Sequence, residues 1–226
     1  MSSSRRRSWH ADPDTPVEQR WNHNIHLHPV LLDALPDPCG RALDAGCGEG
    51  VLTWQLADRA AAVVAVDVDA ECVERTRELV AGRENVEVRQ ADLMTADLQP
   101  ASFAAVLSVA VVHHLGLQAG LTRLASLVAP GGTLGVVGLA RTRTGYDLAH
   151  DAVGAVMTRV LRRRRGIWEV RAPIADPRET YTEVLRTATL LLPGVRYRRH
   201  PLFRYSLIWT RPDDWTPPGP GRITRR

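Results

Sequence analysis

LDAGCGEG, residues 43–50, is the stretch whose reading decides how this chain folds. An apolar run ends there in three alternating glycines, Gly46, Gly48 and Gly50, introduced by Asp44. Residues 41–45 read as a short buried strand, and Val51, Leu52, Trp54 and Leu56 mark the first turns of a helix. The glycines therefore form a strand-to-helix turn. Glycine adopts positive φ without strain and lets a ligand approach main-chain atoms with no Cβ in the way, so a nucleotide-like ligand is expected here.

The chemistry around the glycines narrows that ligand. A dinucleotide fingerprint has the form G-x-G-x-x-G and rests a pyrophosphate on the N–H groups of the helix N-terminus. This turn is G-x-G-x-G, and Asp44 and Glu49 add two carboxylates that repel a pyrophosphate and suit a cation. S-adenosylmethionine, with a sulfonium, an ammonium and no phosphate, meets that requirement.

The following segments repeat the strand–helix alternation. AAVVAVDVD, 61–69, is a continuous apolar strand, and Asp67 falls 23 residues beyond Asp44. An acidic residue roughly 20 positions after the glycine loop of a doubly wound fold accepts hydrogen bonds from ribose hydroxyls. Asp69, immediately before the helical stretch 70–81, reads instead as its N-cap, and Gly82 as its stop. VEVRQADL, 86–93, alternates as a third strand with Asp92 at its end. FAAVLSVAVVHHL, 103–115, reads as a fourth strand that passes Ser108 and leaves His113 and His114 at the cleft.

With the A-P-G-G-T-L junction at 129–134, these segments resemble the class I S-adenosylmethionine-dependent methyltransferases from about residue 41 to 140, with a looser continuation to 212. The resemblance implies a turn of Asp44, Gly46, Cys47 and Gly48 around the cofactor, Asp67 on the ribose and Val68 against the adenine. It places Asp92 on the adenine amino group, the Leu93 N–H on a ring nitrogen and the Ser108 backbone near the methionine part. It also implies a single α/β, doubly wound, Rossmann-like domain. The expected sheet has seven strands in the order 3-2-1-4-5-7-6, the seventh antiparallel, since 195–201 and 203–212 read as two alternating strands joined by a tight turn.

At 226 residues, 44% hydrophobic and 24% charged, the composition suits one domain with a sizeable core. No apolar run reaches the roughly 18 residues that span a bilayer, and MSSSRRRSWH lacks a secretory apolar segment, so a cytoplasmic protein without membrane insertion is expected. Cys39, Cys47 and Cys72 are odd in number and show no C-x-x-C spacing, which suggests reduced thiols. The chain contains no lysine, so its net charge of +4 comes from arginine.

Residues 1–16 and 213–226 read as disordered tails, 17–40 as an N-terminal helical lid, 41–212 as the domain, and 141–176 as a substrate-side insertion. Within the lid, His23, His26 and His28 form a surface cluster, a cover over the cofactor, or a metal site; with no Asp, Glu or Cys to complete a ligand set, no metal is assigned. The insertion carries a helical pattern with Val153, Val156, Met157, Val160 and Leu161 on one face and four arginines at 162–165. Those arginines read as a charged helix end, an attractor for an anionic substrate, or a membrane contact.

The expected activity is methyl transfer from S-adenosylmethionine to a small-molecule acceptor. Imidazole is suited to taking a proton near neutral pH, so His113 or His114 is the candidate base, the alternative being that His114 braces the next helix. Trp21, His23, His26, Tyr146 and His150 are substrate-side candidates, with Tyr205 a further cleft residue. Nucleic acid is disfavoured as acceptor because no N-P-P-Y-like element and no aromatic-rich basic platform is present. A cofactor-binding protein without transfer and a cofactor-dependent cyclase or decarboxylase are the competing classes; no oligomeric state is assigned.

Overall fold

The computed structural model describes residues 15–168 and 177–218, with no side chain described for Tyr146. Two 3-10 turns, Val17–Gln19 and Ile25–Leu27, lead into the short helix α1 (His28–Leu32), where Pro29 occupies the first turn and costs no hydrogen bond. Then follow β1 (Cys39–Ala45), α2 (Val51–Ala57), β2 (Ala60–Asp67), α3 (Ala70–Leu79), β3 (Val86–Gln90) and β4 (Phe103–Val109). The second half comprises α4 (Val112–Leu115), α5 (Leu117–Leu127), β5 (Val128–Gly138), α6 (Gly145–Arg165), α7 (Tyr181–Leu191), β6 (Arg196–His200) and β7 (Arg204–Thr210).

The sheet order is β3-β2-β1-β4-β5-β7-β6, parallel except that β7 runs antiparallel to both neighbours, as the sequence predicts. Apolar residues leave the strands toward both faces. Leu43, Val106, Leu134, Tyr205, Leu207 and Trp209 join one core cluster, with α5 and α7 packed over it. Ala42, Ala105, Leu107, Val137 and Ile208 join the other, beneath α1 and α2. Burial on both faces explains why the strands read as continuous apolar runs rather than as clean alternation.

Several boundaries differ from the sequence reading. β4 ends at Val109, because Ala110 takes φ 59° and turns the chain, so His113 and His114 lie on α4 and not on a strand end. β3 ends at Gln90, which leaves Asp92 two residues beyond it in a turn. In α6, the apolar face of the sequence reading is only partly covered: Val153, Val156 and Val160 face solvent, while Met157 and Leu161 are half-buried. Gly154 is explained by contact: a Cβ there would stand 1.8 Å from the Pro201 carbonyl oxygen, so glycine is what lets α6 lie against the β6–β7 turn. Arg199 of β6 completes that docking with ion pairs to Asp147 and Asp151.

Part of the stretch expected to be a disordered C-terminal tail is folded. Trp215 is buried, meets Trp209 edge-on at 5.1 Å between centroids, and donates its Nε1–H to the Leu191 carbonyl at 3.0 Å. Truncation of a buried tryptophan leaves a cavity, so Trp215→Ala is expected to destabilise the fold by about 3 kcal/mol in urea unfolding. A loss below about 0.5 kcal/mol would show that this contact contributes nothing, being the range of neutral surface substitutions.

Candidate active site

The glycine turn is fastened to the neighbouring strand. The Val66 carbonyl accepts the N–H groups of Gly46 (2.8 Å) and Cys47 (3.1 Å), and Asp67 Oδ2 accepts the Gly48 N–H at 2.8 Å. Gly46 has φ 82°, and a Cβ there would lie 2.2 Å from Val111 Cγ2, so both backbone and packing require glycine. Gly48 also has positive φ, but a Cβ on it would meet nothing within 4 Å, leaving its face open to the cleft. Asp44 is fully buried at the end of β1 and accepts the Thr53 hydroxyl at 2.6 Å, which braces the start of α2. Burial, only partly opposed by that hydrogen bond and reinforced by Asp67, pushes its pKa up to about 7.

These residues open onto a cavity of about 1000 Å³ at the carboxyl ends of the parallel strands, at the topological switch point between β1 and β4. Asp44, Gly46, Cys47, Gly48, Asp67, Val68, Asp92, Leu93, His23, His113 and His114 all line it. Asp67 Oδ1 accepts the Asp69 N–H at 3.0 Å, so each carboxylate oxygen keeps a lone pair for a ligand hydroxyl. Val68, beside it, is 68% exposed, an apolar surface left bare in the cavity wall. Asp69 caps α3 through the Cys72 N–H at 2.9 Å, as its spacing predicts.

The expected residues that do not reach the cavity have structural partners. Ser108 is fully buried and donates its hydroxyl to the Ala45 carbonyl at 3.0 Å, while the next three residues, Val109, Ala110 and Val111, form the wall. Trp21 is buried, and its Nε1–H points at His26 Nδ1 across 3.4 Å. The histidines of the N-terminal segment diverge: His26 is outside the lining and turns to Trp21, whereas His23 and His28 border the cavity, His28 with Nδ1 2.8 Å from Gln55 Oε1 and His23 with Nε2 3.2 Å from the Thr158 hydroxyl. His150 is outside the lining, and the Tyr146 side chain lies outside the described residues. Tyr205 is buried against Gly138 on the opposite face of β7.

A roof closes over the turn from two distant parts of the sequence. Trp168 donates its backbone N–H to the Trp21 carbonyl (2.7 Å), accepts from Asn22 Nδ2 (3.3 Å) and donates Nε1–H to Glu49 Oε2 (2.7 Å). Arg20 stacks over its indole at 4.2 Å. Glu49, read from sequence as a carboxylate for a cation, is thus engaged by Trp168 and by Arg75 at 3.6 Å. On the far side His113 keeps a buried Nδ1 without a hydrogen-bond partner among the described residues, and burial, with His114 and Arg204 adding to it, lowers its pKa to about 4.

Comparison with known proteins agrees with this geometry. Residues 42–132 match a family described as a methyltransferase domain. An uncharacterized methyltransferase of Mycobacterium tuberculosis is 40% identical over 202 residues, covering 87% of this chain and all of that protein. This chain is a class I S-adenosylmethionine-dependent methyltransferase. A ubiquinone biosynthesis O-methyltransferase of Xanthomonas campestris is 36% identical over 158 residues, which are 66% of this chain and 62% of that protein. Among solved structures, a geranyl diphosphate methyltransferase in complex with S-adenosylmethionine superposes with a TM-score of 0.58 at 16% identity, over 82% of this chain and 84% of that one.

The site of this methyltransferase holds residues that motif reading did not find. Trp168 carries no periodic or spacing signal and acts through its two hydrogen-bonded flanks. Arg204 was discoverable: an antiparallel last strand must begin where the parallel strands end, at the cleft.

Asp44 supplies a pH test. Its folded pKa lies above that of an unfolded aspartate, so between about pH 4 and 7 the native state holds the extra proton, and stability contributed by this group falls as pH rises. Asp44→Asn should therefore gain stability relative to the parent across that window, by at most about 1.4 kcal/mol per pH unit in urea titrations. A difference that stays flat from pH 4 to 7 would mean that Asp44 ionises at its ordinary value.

Proposed function

We propose that the methyltransferase acts on a small-molecule acceptor held under the roof of the cavity, and that its cofactor occupies the end lined by Asp67, Val68, Asp92 and Leu93. The observation that carries this reading is the single roofed volume of about 1000 Å³ running from Asp67 and Val68 to His113 and Arg204. A site that size suits a cofactor and a small partner, whereas a nucleic acid acceptor calls for an open, basic, aromatic face.

The residues present fit S-adenosylmethionine. Asp67 keeps acceptor capacity for two ribose hydroxyls, bare Val68 offers an apolar surface to the adenine, and the open face of Gly48 admits close approach. Asp92 accepts the Met94 N–H through Oδ1 at 2.8 Å and retains Oδ2 for an amino group. Bound there, the cofactor supplies an electrophilic methyl on a sulfonium, a leaving group that demands little further activation. The protein's task is then to hold the acceptor in line and exclude water. The N-terminal segment 17–40 and the insertion 141–176 supply the cover through Asn22, His23 and Trp168. His113, which lines the cavity and is neutral at pH 7, is the candidate to take a hydrogen bond or a proton from the acceptor; exposed His114 packs against it at 4.1 Å between ring centroids.

Calorimetry is expected to show S-adenosylhomocysteine binding with no detectable NAD binding. Asp67→Ala should weaken the interaction by about 1 to 3 kcal/mol through lost hydrogen bonds to a carboxylate. Incubation with labelled cofactor and fractionated extract should place the label in a small-molecule fraction. Label recovered in RNA at physiological salt, or NAD binding in place of the adenosyl ligand, would overturn the reading.

A further inference from the structure

Arg204 is the one arginine among the described residues that lines the cavity. It opens β7, and because β7 is antiparallel its first residue stands beside the carboxyl end of β5. Its Nε donates to Asn24 Oδ1 at 2.8 Å, and Nη1 reaches the carbonyls of Phe203 (3.2 Å) and Leu202 (3.5 Å). Among the described residues, Nη2 makes no hydrogen bond and no carboxylate pairs with the guanidinium. Arg199, five residues earlier, is provided with Asp147 and Asp151. A partly buried cation facing a cavity without a counterion is unfavourable unless a ligand brings one. Burial already draws the pKa of Arg204 down to about 10, with only Tyr181 acting the other way.

The surroundings do not supply the missing charge. His23 and His113 share this end of the cavity and are both depressed to about 4, by burial first and by Arg204 among the lesser causes, so at neutral pH they are uncharged. Ile25 and Leu139 complete an apolar wall.

We propose that Arg204 anchors a carboxylate carried by the methyl acceptor, with the rest of the acceptor lying along Ile25 and Leu139 and its reactive group toward the cofactor end. The inference rests on the small-molecule reading above and names its substrate class. A monoanion fits better than a phosphate ester because one guanidinium, with one uncommitted nitrogen, neutralises a single charge and would leave a dianion half compensated. The carboxylate also answers a weakness of His113 as a base: an anion paired to Arg204 cancels one of the positive fields that depress the imidazole.

The test uses the full chain, with and without S-adenosylhomocysteine, and benzoate, hexanoate, their primary amides and phenyl phosphate as probes. Dissociation constants are read by ligand-observed NMR. The acids should bind, the amides at least about tenfold more weakly, and Arg204→Gln should reduce acid affinity by about tenfold or more while S-adenosylhomocysteine affinity is preserved. Asn24→Asp, which sets a carboxylate against the Arg204 Nε, should weaken the acids likewise, and it keeps the test open if Arg204→Gln does not fold. Equal binding of acids and amides, acid binding unaffected by both variants, tighter binding of phenyl phosphate, or no acid binding at millimolar concentration would each overturn the carboxylate anchor. Failure of the parent protein to bind S-adenosylhomocysteine would sink the cofactor assignment instead, and acid binding to the ligand-free protein is scored separately.

Discussion

The Val66 carbonyl, shared by the N–H groups of Gly46 and Cys47, is the contact on which the site depends. Together with the Gly48 N–H on Asp67, it ties the loop leaving β1 to the end of β2 before any ligand arrives. The Thr76 hydroxyl holds the Gly48 carbonyl at 2.9 Å from α3, and Asp44 holds Thr53 at the start of α2. Four elements thereby fix one loop. Such a loop has little conformational entropy left to lose on binding, which is the physical content of preorganisation. The same contacts reassign the backbone donors: three N–H groups of the turn are turned toward β2, so the turn offers an anion little. What faces the cavity is an acidic rim, in keeping with a cationic cofactor.

The roof is built on that loop rather than beside it. Glu49 belongs to the glycine turn, yet its carboxylate receives the Trp168 indole from the far end of α6, and the Trp168 backbone pairs with Trp21 and Asn22. Glycine turn, N-terminal segment and the chain beyond α6 therefore meet at Trp168. An internal glycine in α6 costs about 1 kcal/mol relative to alanine. Gly154 is nonetheless what allows the helix to approach Pro201 and so to deliver Trp168 to the turn.

Legibility in the sequence followed the range of the signal. The glycine turn, Asp67 and the N-cap Asp69 are set by contacts a few residues long or by one strand–helix repeat, and spacing alone placed them. Strand order and the antiparallel β7 were legible through family resemblance and the paired alternating segments at the C-terminus. Long-range packing was not. Ser108 drew notice as the lone polar group in an apolar strand, its backbone expected near the cofactor, but no local pattern shows that its hydroxyl is taken up by the adjacent β1 carbonyl. The apolar stripe of α6 has the right period for burial, yet Val153, Val156 and Val160 face solvent and only Met157 and Leu161 are half-buried. Trp215 sits in a proline-rich stretch whose composition signals disorder, and a single indole in the core outweighs it.

Parity along β7 decides which of its side chains reaches the cavity. Successive side chains of a strand point to opposite faces, so Tyr205, Leu207 and Trp209 enter the core with α5 and α7 while Arg204 and Ile208 turn toward the N-terminal segment. Reading Tyr205 as a cleft residue was an error of one position, and one position in a strand exchanges a buried phenol for a cation. Had β7 run parallel, its first residue would lie at the opposite edge of the sheet, far from the switch point. The reversal of the last strand thus gives this cavity its one arginine among the described residues, a charge that reaches the wall with no described carboxylate to pair it.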